Sequence, residues 1–315
     1  DLILLIGANP RFEATIINAR IRKAFLNNNT KIISLNDVGD LTYSYKFLDG
    51  KTQTIKDIID NKHEVSKAIL KSEKPMIILG ESFYKIKSAN YLFNSFKEFL
   101  LKNNKFIDEW NPLNLLSTNA STVGNLDLDI INQKNDIIND LIQNKFDLVY
   151  LLGQDDLKFT KKNEFIIYQG SHGDRGAEMA DVILPSAAYT EENGLYQNLE
   201  GRVQECRKAS YPAGEALESW KVLNKLTNAY KNKNLFDSFN TLRDEVLKKI
   251  INFESINKLP KYKEPTKKNN NSFKSEKIFI NPIDYYFSNS ISRSSKVMSE
   301  CRDIKLKHLK SGTNN

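Results

Sequence analysis

Cysteine is scarce: there are two among 315 residues, Cys206 and Cys301. Two thiolates cannot supply the ligands of an ordinary iron–sulfur cluster, and this pair lacks the CxxC spacing of a zinc or redox site. The three histidines, His63, His172 and His308, are scattered, so no metal-ligand set is expected. Two free thiols suit a reducing compartment, with a disulfide left open. No apolar run approaches the roughly eighteen residues of a membrane span. No signal or transit peptide is visible. A GxGxxG nucleotide fingerprint is missing too, as is any Arg-rich helix or nucleic-acid motif.

What is present is ordinary globular material. With 40% hydrophobic and 27% charged residues the chain can build one large domain or two modest ones. The net charge of +7 is spread along the chain, and Lys, Asn and Ile are heavily used. Such usage follows AT-rich coding more readily than it makes a nucleic-acid surface. The chain passes from Asp1 straight into the apolar run Leu2–Ile6. A start inside a core strand is expected of a portion of something larger, or of one product of a split gene.

Leu2–Ile6 reads as a buried parallel strand, followed by the turn Gly7–Arg11 and a helical stripe of Phe12, Ile16, Ile17, Ile21, Ala24 and Phe25. Lys31–Leu35 is a second strand. Strand, helix and strand with short connections indicate a parallel α/β sheet. The same strand-then-glycine unit recurs at Lys74–Gly80, Asp147–Gly153 and Phe165–Gly170. Helices are expected at about 55–71, 88–103, 129–143, 214–231 and 236–251, with an irregular connection at 110–125. Asp155 and Asp156 are expected to cap a turn. His172 lies close to Asp174, but no nucleophile motif accompanies them, so no catalytic role is assigned. Gly170, Gly173 and Gly176 suggest backbone packed near backbone. The α/β region is expected over 1–253, either as one unit or as two lobes, 1–125 and 126–253. A Lys/Asn/Pro-rich linker or surface loop, with six lysines from Lys261 to Lys277, is expected over 254–283. A helical segment, 284–315, closes the chain.

The most distinctive stretch runs from Ala180 to Gln204. A short apolar run, Val182–Leu184, stops at Pro185. Small residues follow, then Glu191, Glu192 and the turn signal Asn193-Gly194. Next comes Tyr196-x-Asn198-x-Glu200-Gly201-Arg202-x-Gln204. If extended, this segment puts Tyr196, Asn198 and Glu200 on one polar face.

That stretch resembles the molybdopterin oxidoreductase superfamily, whose members carry a closely similar strand–Pro–Glu–Asn–Gly–Asn–x–Glu–Gly–Arg–x–Gln run. Gly7-Ala8-Asn9-Pro10-Arg11-x-Glu13-Ala14, with Asn18-Ala19-Arg20-Ile21-Arg22-Lys23, is similar within that superfamily to the large iron–sulfur subunits of respiratory complex I. So are Asp40–Tyr45 and the segment Ser288–Cys301. The resemblance covers almost the whole chain and corresponds to the carboxyl-terminal portion of such subunits.

The resemblance implies an α/β fold with parallel sheets flanked by helices and a helical or irregular C-terminal extension. It implies a scaffold in the complex I peripheral arm, supporting electron transfer from NADH to quinone without itself being an enzyme. Partners would be the amino-terminal, cluster-bearing portion of the same subunit and other arm subunits, with no membrane insertion of this chain. The location would be the matrix side of the mitochondrial inner membrane. Iron–sulfur clusters would sit on the amino-terminal portion, and the molybdopterin cofactor would be lost. Gly7, Asn9, Arg11, Asn198, Glu200 and Arg202 are then vestigial cofactor-facing candidates, reused to hold the protein together. The alternative is an active, formate dehydrogenase-like molybdopterin oxidoreductase fragment.

Overall fold

The computed structural model describes residues 1–107, 110–130, 137–250, 256–260, 272–280 and 283–310, with side chains to residue 307. The chain folds as two compact units. One comprises Asp1–Asn119 with Lys263–Ile283, the other Ala120–Tyr262 with Asp284–Asn315.

In the first unit, strands β1 (Leu2–Ile6), β2 (Lys31–Ser34), β3 (Lys46–Phe47), β4 (Pro75–Leu79) and β5 (Leu113–Leu115) form one parallel sheet in the order β3-β2-β1-β4-β5. Every residue of β1 is buried, because both sheet faces are covered. Leu2, Leu4 and Ile6 point to one face, where Ile55, Ile58, Ile69, Leu92, Phe96 and Leu100 pack. Those residues come from α3 (Thr52–Ile59), α4 (Glu64–Lys71) and α6 (Ala89–Lys102). Ile3 and Leu5 point to the other face, against Ile21 and Leu41. Ile21 belongs to α2 (Thr15–Asn28), which follows the short helix α1 (Pro10–Glu13); α5 (Glu81–Tyr84) follows β4.

The single helix expected over about 55–71 is two. The chain breaks after Ile59, and the His63 Nδ1 accepts the Val65 N–H, so the histidine is the N-cap of α4. Part of the expected 254–283 linker lies outside the described residues. Its described part, Ser272–Ile280, runs along the first unit. There Ile278 is buried, the Asn36 Nδ2 donates to the Ile278 carbonyl at 2.8 Å, and Thr52 and Ser88 bond the backbone of Glu276 and Lys274.

The second unit starts with α7 (Thr122–Asp127) and α8 (Ile137–Ile142); the start of the helix expected at 129–143 falls partly outside the described residues. Strands β6 (Leu148–Leu152), β7 (Phe165–Gly170) and β8 (Val182–Pro185) form a parallel sheet in that order, with α9 (Arg175–Met179) between β7 and β8. β9 (Gly194–Gln197) and β10 (Val203–Cys206) make an antiparallel hairpin. Helices α10 (Ser219–Lys231) and α11 (Phe239–Lys249) follow. A turn of 3-10 helix at Tyr285–Phe287 leads to α12 (Ser290–Ser294) and α13 (Lys296–Lys310), so the C-terminal region is helical as expected. Among the described residues no helix is long and apolar enough to cross a membrane.

Candidate functional site

In the first unit, the strand order reverses between β1 and β4, and sheets of this kind bind ligands in the crevice beyond the strand ends at that point. Gly7 follows β1 and Gly80 follows β4. The two turns are pressed together. A Cβ on Gly80 would lie 2.2 Å from the Gly7 carbonyl oxygen, and one on Gly7 would lie 2.8 Å from the Phe83 nitrogen. Gly7 also has φ +61°, a conformation that side chains disfavour. Protein backbone and the buried Phe83 ring therefore form the floor of the crevice.

Asn9 and Arg11 turn to the protein itself. The buried Asn9 donates from Nδ2 to the Val38 carbonyl at 3.1 Å. Arg11 donates from Nη1 to the Asp40 carbonyl at 2.7 Å and to its Oδ2 at 2.6 Å. The Thr42 N–H and then Arg11 hold the Asp40 carboxyl below its usual range. The Asn18 Nδ2 donates to the Leu41 carbonyl, and the Tyr43 hydroxyl donates to the Asn18 Oδ1 at 2.7 Å. The two motifs, Gly7–Lys23 and Asp40–Tyr45, thus bond to one another and fix the loop after β2. Glu13 accepts the Asn9 N–H, and burial pushes its carboxyl up.

In the second unit, Asn198–Arg202 is not extended. It is the loop of the β9–β10 hairpin, so Tyr196, Asn198 and Glu200 do not share the expected flat face. The Asn198 Oδ1 accepts the N–H groups of Glu200 at 3.0 Å and of Arg202 at 2.9 Å. Its backbone N–H donates to the Arg202 carbonyl at 3.0 Å, and its carbonyl accepts the Gly201 N–H. The Arg202 Nη1 donates to the Asn257 carbonyl. Gln197, which the alternating pattern did not single out, is the buried residue of the group. It donates to the Asp127 Oδ2 at 2.6 Å and to the Gly201 carbonyl at 3.0 Å, tying the hairpin to α7.

The acidic pair before the hairpin is also engaged. Glu191 accepts the Ala188 N–H. Glu192 accepts the Ser219 N–H at 2.7 Å and its hydroxyl at 3.2 Å, holding the start of α10; burial pushes its carboxyl up. The Asn193 Oδ1 accepts the Lys208 N–H.

A further cluster lies where β6 and β7 end. Asp155 does not merely cap a turn: its Oδ1 accepts from the Arg293 Nη2 at 2.6 Å, and the Asp174 Oδ2 accepts from the Arg293 Nε at 2.6 Å. The Arg293 Nη1 donates to the Phe287 carbonyl. The α12 segment thus plants a guanidinium between the two strand-end loops. The expected close packing around Gly170 and Gly176 is real but surrounds the Tyr168 ring, while Gly173 has open space. The His172 carbonyl accepts the Tyr168 hydroxyl, and the imidazole Nδ1 lies 2.9 Å from the Ser171 hydroxyl. Among the described residues no group of three or more His, Cys, Asp or Glu side chains converges as a metal site would.

The candidate residues therefore fall into two separate groups, Gly7, Asn9 and Arg11 in one unit and Asn198, Glu200 and Arg202 in the other. They do not fit a pterin dinucleotide well. Their main donors already serve backbone carbonyls and one carboxylate of the protein, and the floor of the first crevice is filled.

The molybdopterin oxidoreductase family model matches residues 1–229. The chain belongs to that family. A second family, the C-terminal region of the G-type large chain of NADH-ubiquinone oxidoreductase, matches residues 255–301. The chain is 36% identical over 96% of its length to the NADH-ubiquinone oxidoreductase 75 kDa subunit of Reclinomonas americana, covering 45% of that protein. It is 36% identical over 96% of its length to the mitochondrial 78 kDa subunit of Candida albicans, covering 42% of it. With the G-type NADH-quinone oxidoreductase chain of Rickettsia felis the identity is 35% over 98% of the chain and 45% of the relative. The chain thus spans less than half the length of these relatives. The resemblance to the carboxyl-terminal portion of the large complex I subunit, drawn from the motifs, is borne out by these matches.

Proposed function

We propose that this chain is a structural, non-cluster-bearing portion of the large iron–sulfur subunit in the peripheral arm of NADH:ubiquinone oxidoreductase. It supports electron transfer from NADH to quinone by holding the arm together and is not an enzyme alone. Its partners are the amino-terminal, cluster-bearing portion of that subunit and other arm subunits. It sits on the matrix side of the mitochondrial inner membrane without inserting into it. The observation that carries this reading is the match to complex I subunits over 96% of the chain.

The site geometry supports the non-catalytic part. Asn9, Arg11, Asn198 and Arg202 bond to the protein's own groups. Buried polar groups paired in this way hold a fold rather than a ligand. No molybdopterin is bound in this reading, and the iron–sulfur clusters belong to the amino-terminal portion. The formate dehydrogenase-like alternative is not favoured, since the relatives named above are NADH oxidoreductase subunits.

The test is affinity purification of the chain in mild detergent with metal analysis of the product. Recovery of iron–sulfur proteins and NADH dehydrogenase activity without molybdenum is expected. Recovery of the chain alone with molybdenum bound would overturn the proposal.

A further inference from the structure

The β6–β7–β8 sheet is unevenly covered. Register places Val149, Leu151, Ile166 and Tyr168 on one face, and they pack against Leu157, Phe159 and Met179. The other face carries Leu148, Leu152, Phe165 and Val182, with Ile167 and Leu184 between them. Around Gln169 this face is closed, where that buried side chain donates to the Ser219 carbonyl. Along the edge strand β6 and at the starts of β7 and β8 it is open: Leu148 is 58%, Leu152 54%, Phe165 47% and Val182 39% exposed. A parallel sheet needs apolar cover on both faces, normally from helices. Four large apolar side chains on one open sheet face are a surface made to be covered.

We infer that this open face is the seat of an apolar, helical segment from the amino-terminal portion of the family's large subunit. The inference rests on the proposed function and adds where that partner docks. The relatives are more than twice as long as the matched stretch. The family model for the C-terminal region falls at 255–301, near the end of the chain, so most of the relatives' remaining length precedes the match. That length is ample for a covering layer. A second copy of this chain is the competing occupant, and the test separates the two.

Single cysteines at Phe165, Val182 and, on α10, Tyr230 are introduced into a background carrying Cys206→Ser and Cys301→Ser. Maleimide labelling rates are compared for the chain alone and for the purified assembly. Labelling of F165C and V182C is expected to slow by about tenfold or more in the assembly, with Y230C far less affected. Equal slowing at all three positions would mean general occlusion and overturn the assignment. So would unchanged labelling of the two face positions in an assembly that contains the cluster-bearing portion; in that case the proposed function stands and only the docking face is wrong. Failure of the chain to join such an assembly would overturn both. Protection in the chain alone, with a dimer on gel filtration, would assign the face to a second copy and overturn the inference. Hydrogen exchange of the unsubstituted chain at 148–152 and 165–170 gives the same comparison without any variant.

Discussion

Arg293 and Asp174 lie 119 residues apart in sequence, and the Arg293 Nε donates to the Asp174 Oδ2 at 2.6 Å. Asp155 takes the other side of the same guanidinium. All three side chains are largely buried, with 15–20% of their surface exposed. Removing the cation leaves two carboxylates facing one another in a site poor in water, which costs more than the pair gains net. Arg293→Ala is expected to loosen the α12–α13 segment by about 2–3 kcal/mol. Limited proteolysis checks it: cleavage within 283–307 should accelerate while the first unit keeps its resistance. Arg293→Lys should recover only part of the protection, because one ammonium cannot reproduce the fork.

Gly80 against Gly7 carries a second prediction. A methyl group on Gly80 would meet backbone, not a flexible side chain, so the two turns would have to separate. Gly80→Ala is expected to cost about 3 kcal/mol. Gly173→Ala, with nothing within 4 Å of its added carbon, should change stability by less than about 0.5 kcal/mol. Urea midpoints of the two variants, set against the parent chain, decide it.

Much of this fold was legible because parallel strands are buried on both faces. Leu2–Ile6, Pro75–Leu79 and Phe165–Gly170 stand out as apolar runs ended by glycine, and each is a strand. The helix break after Ile59 was harder to see, because the apolar residues keep helical spacing on both sides and a histidine is an uncommon cap. The Asn198–Arg202 loop misled for a different reason. Polar alternation is a strand signal only when the backbone is extended, and here the Asn198 side chain folds it into a turn. Nothing local could announce the Arg293 clamp: it joins acids after β6 and β7 to a serine-rich segment far along the chain. The one hint was a lone arginine among serines.

Asn198 gives a third prediction. Its Oδ1 accepts two backbone N–H groups, which no other atom would replace after Asn198→Ala. The expected loss is about 1–2 kcal/mol, confined to the hairpin. Hydrogen exchange at Glu200, Arg202 and the β9–β10 ladder should speed up, while the β6–β7–β8 ladder stays unchanged. Asn198→Asp keeps both acceptors and should restore most of the protection.

Glu13 sets a pH dependence. Burial raises its carboxyl above the ordinary value of 4.5, opposed in part by the Asn9 N–H. The folded protein therefore holds the proton more tightly than the unfolded chain does. Between the unfolded and the folded titration points the native state binds more protons, so stability falls as pH rises through that window. Above the window a charged, partly buried carboxylate remains as a standing penalty. Glu13→Gln removes the titration and keeps an oxygen for the Asn9 N–H. The variant should match the parent in stability below pH 4 and exceed it progressively at higher pH, levelling off once Glu13 has ionised in the folded protein. Denaturant titrations at a series of pH values measure the difference. A gap that stays constant from acid to neutral pH would mean that Glu13 acts by packing alone.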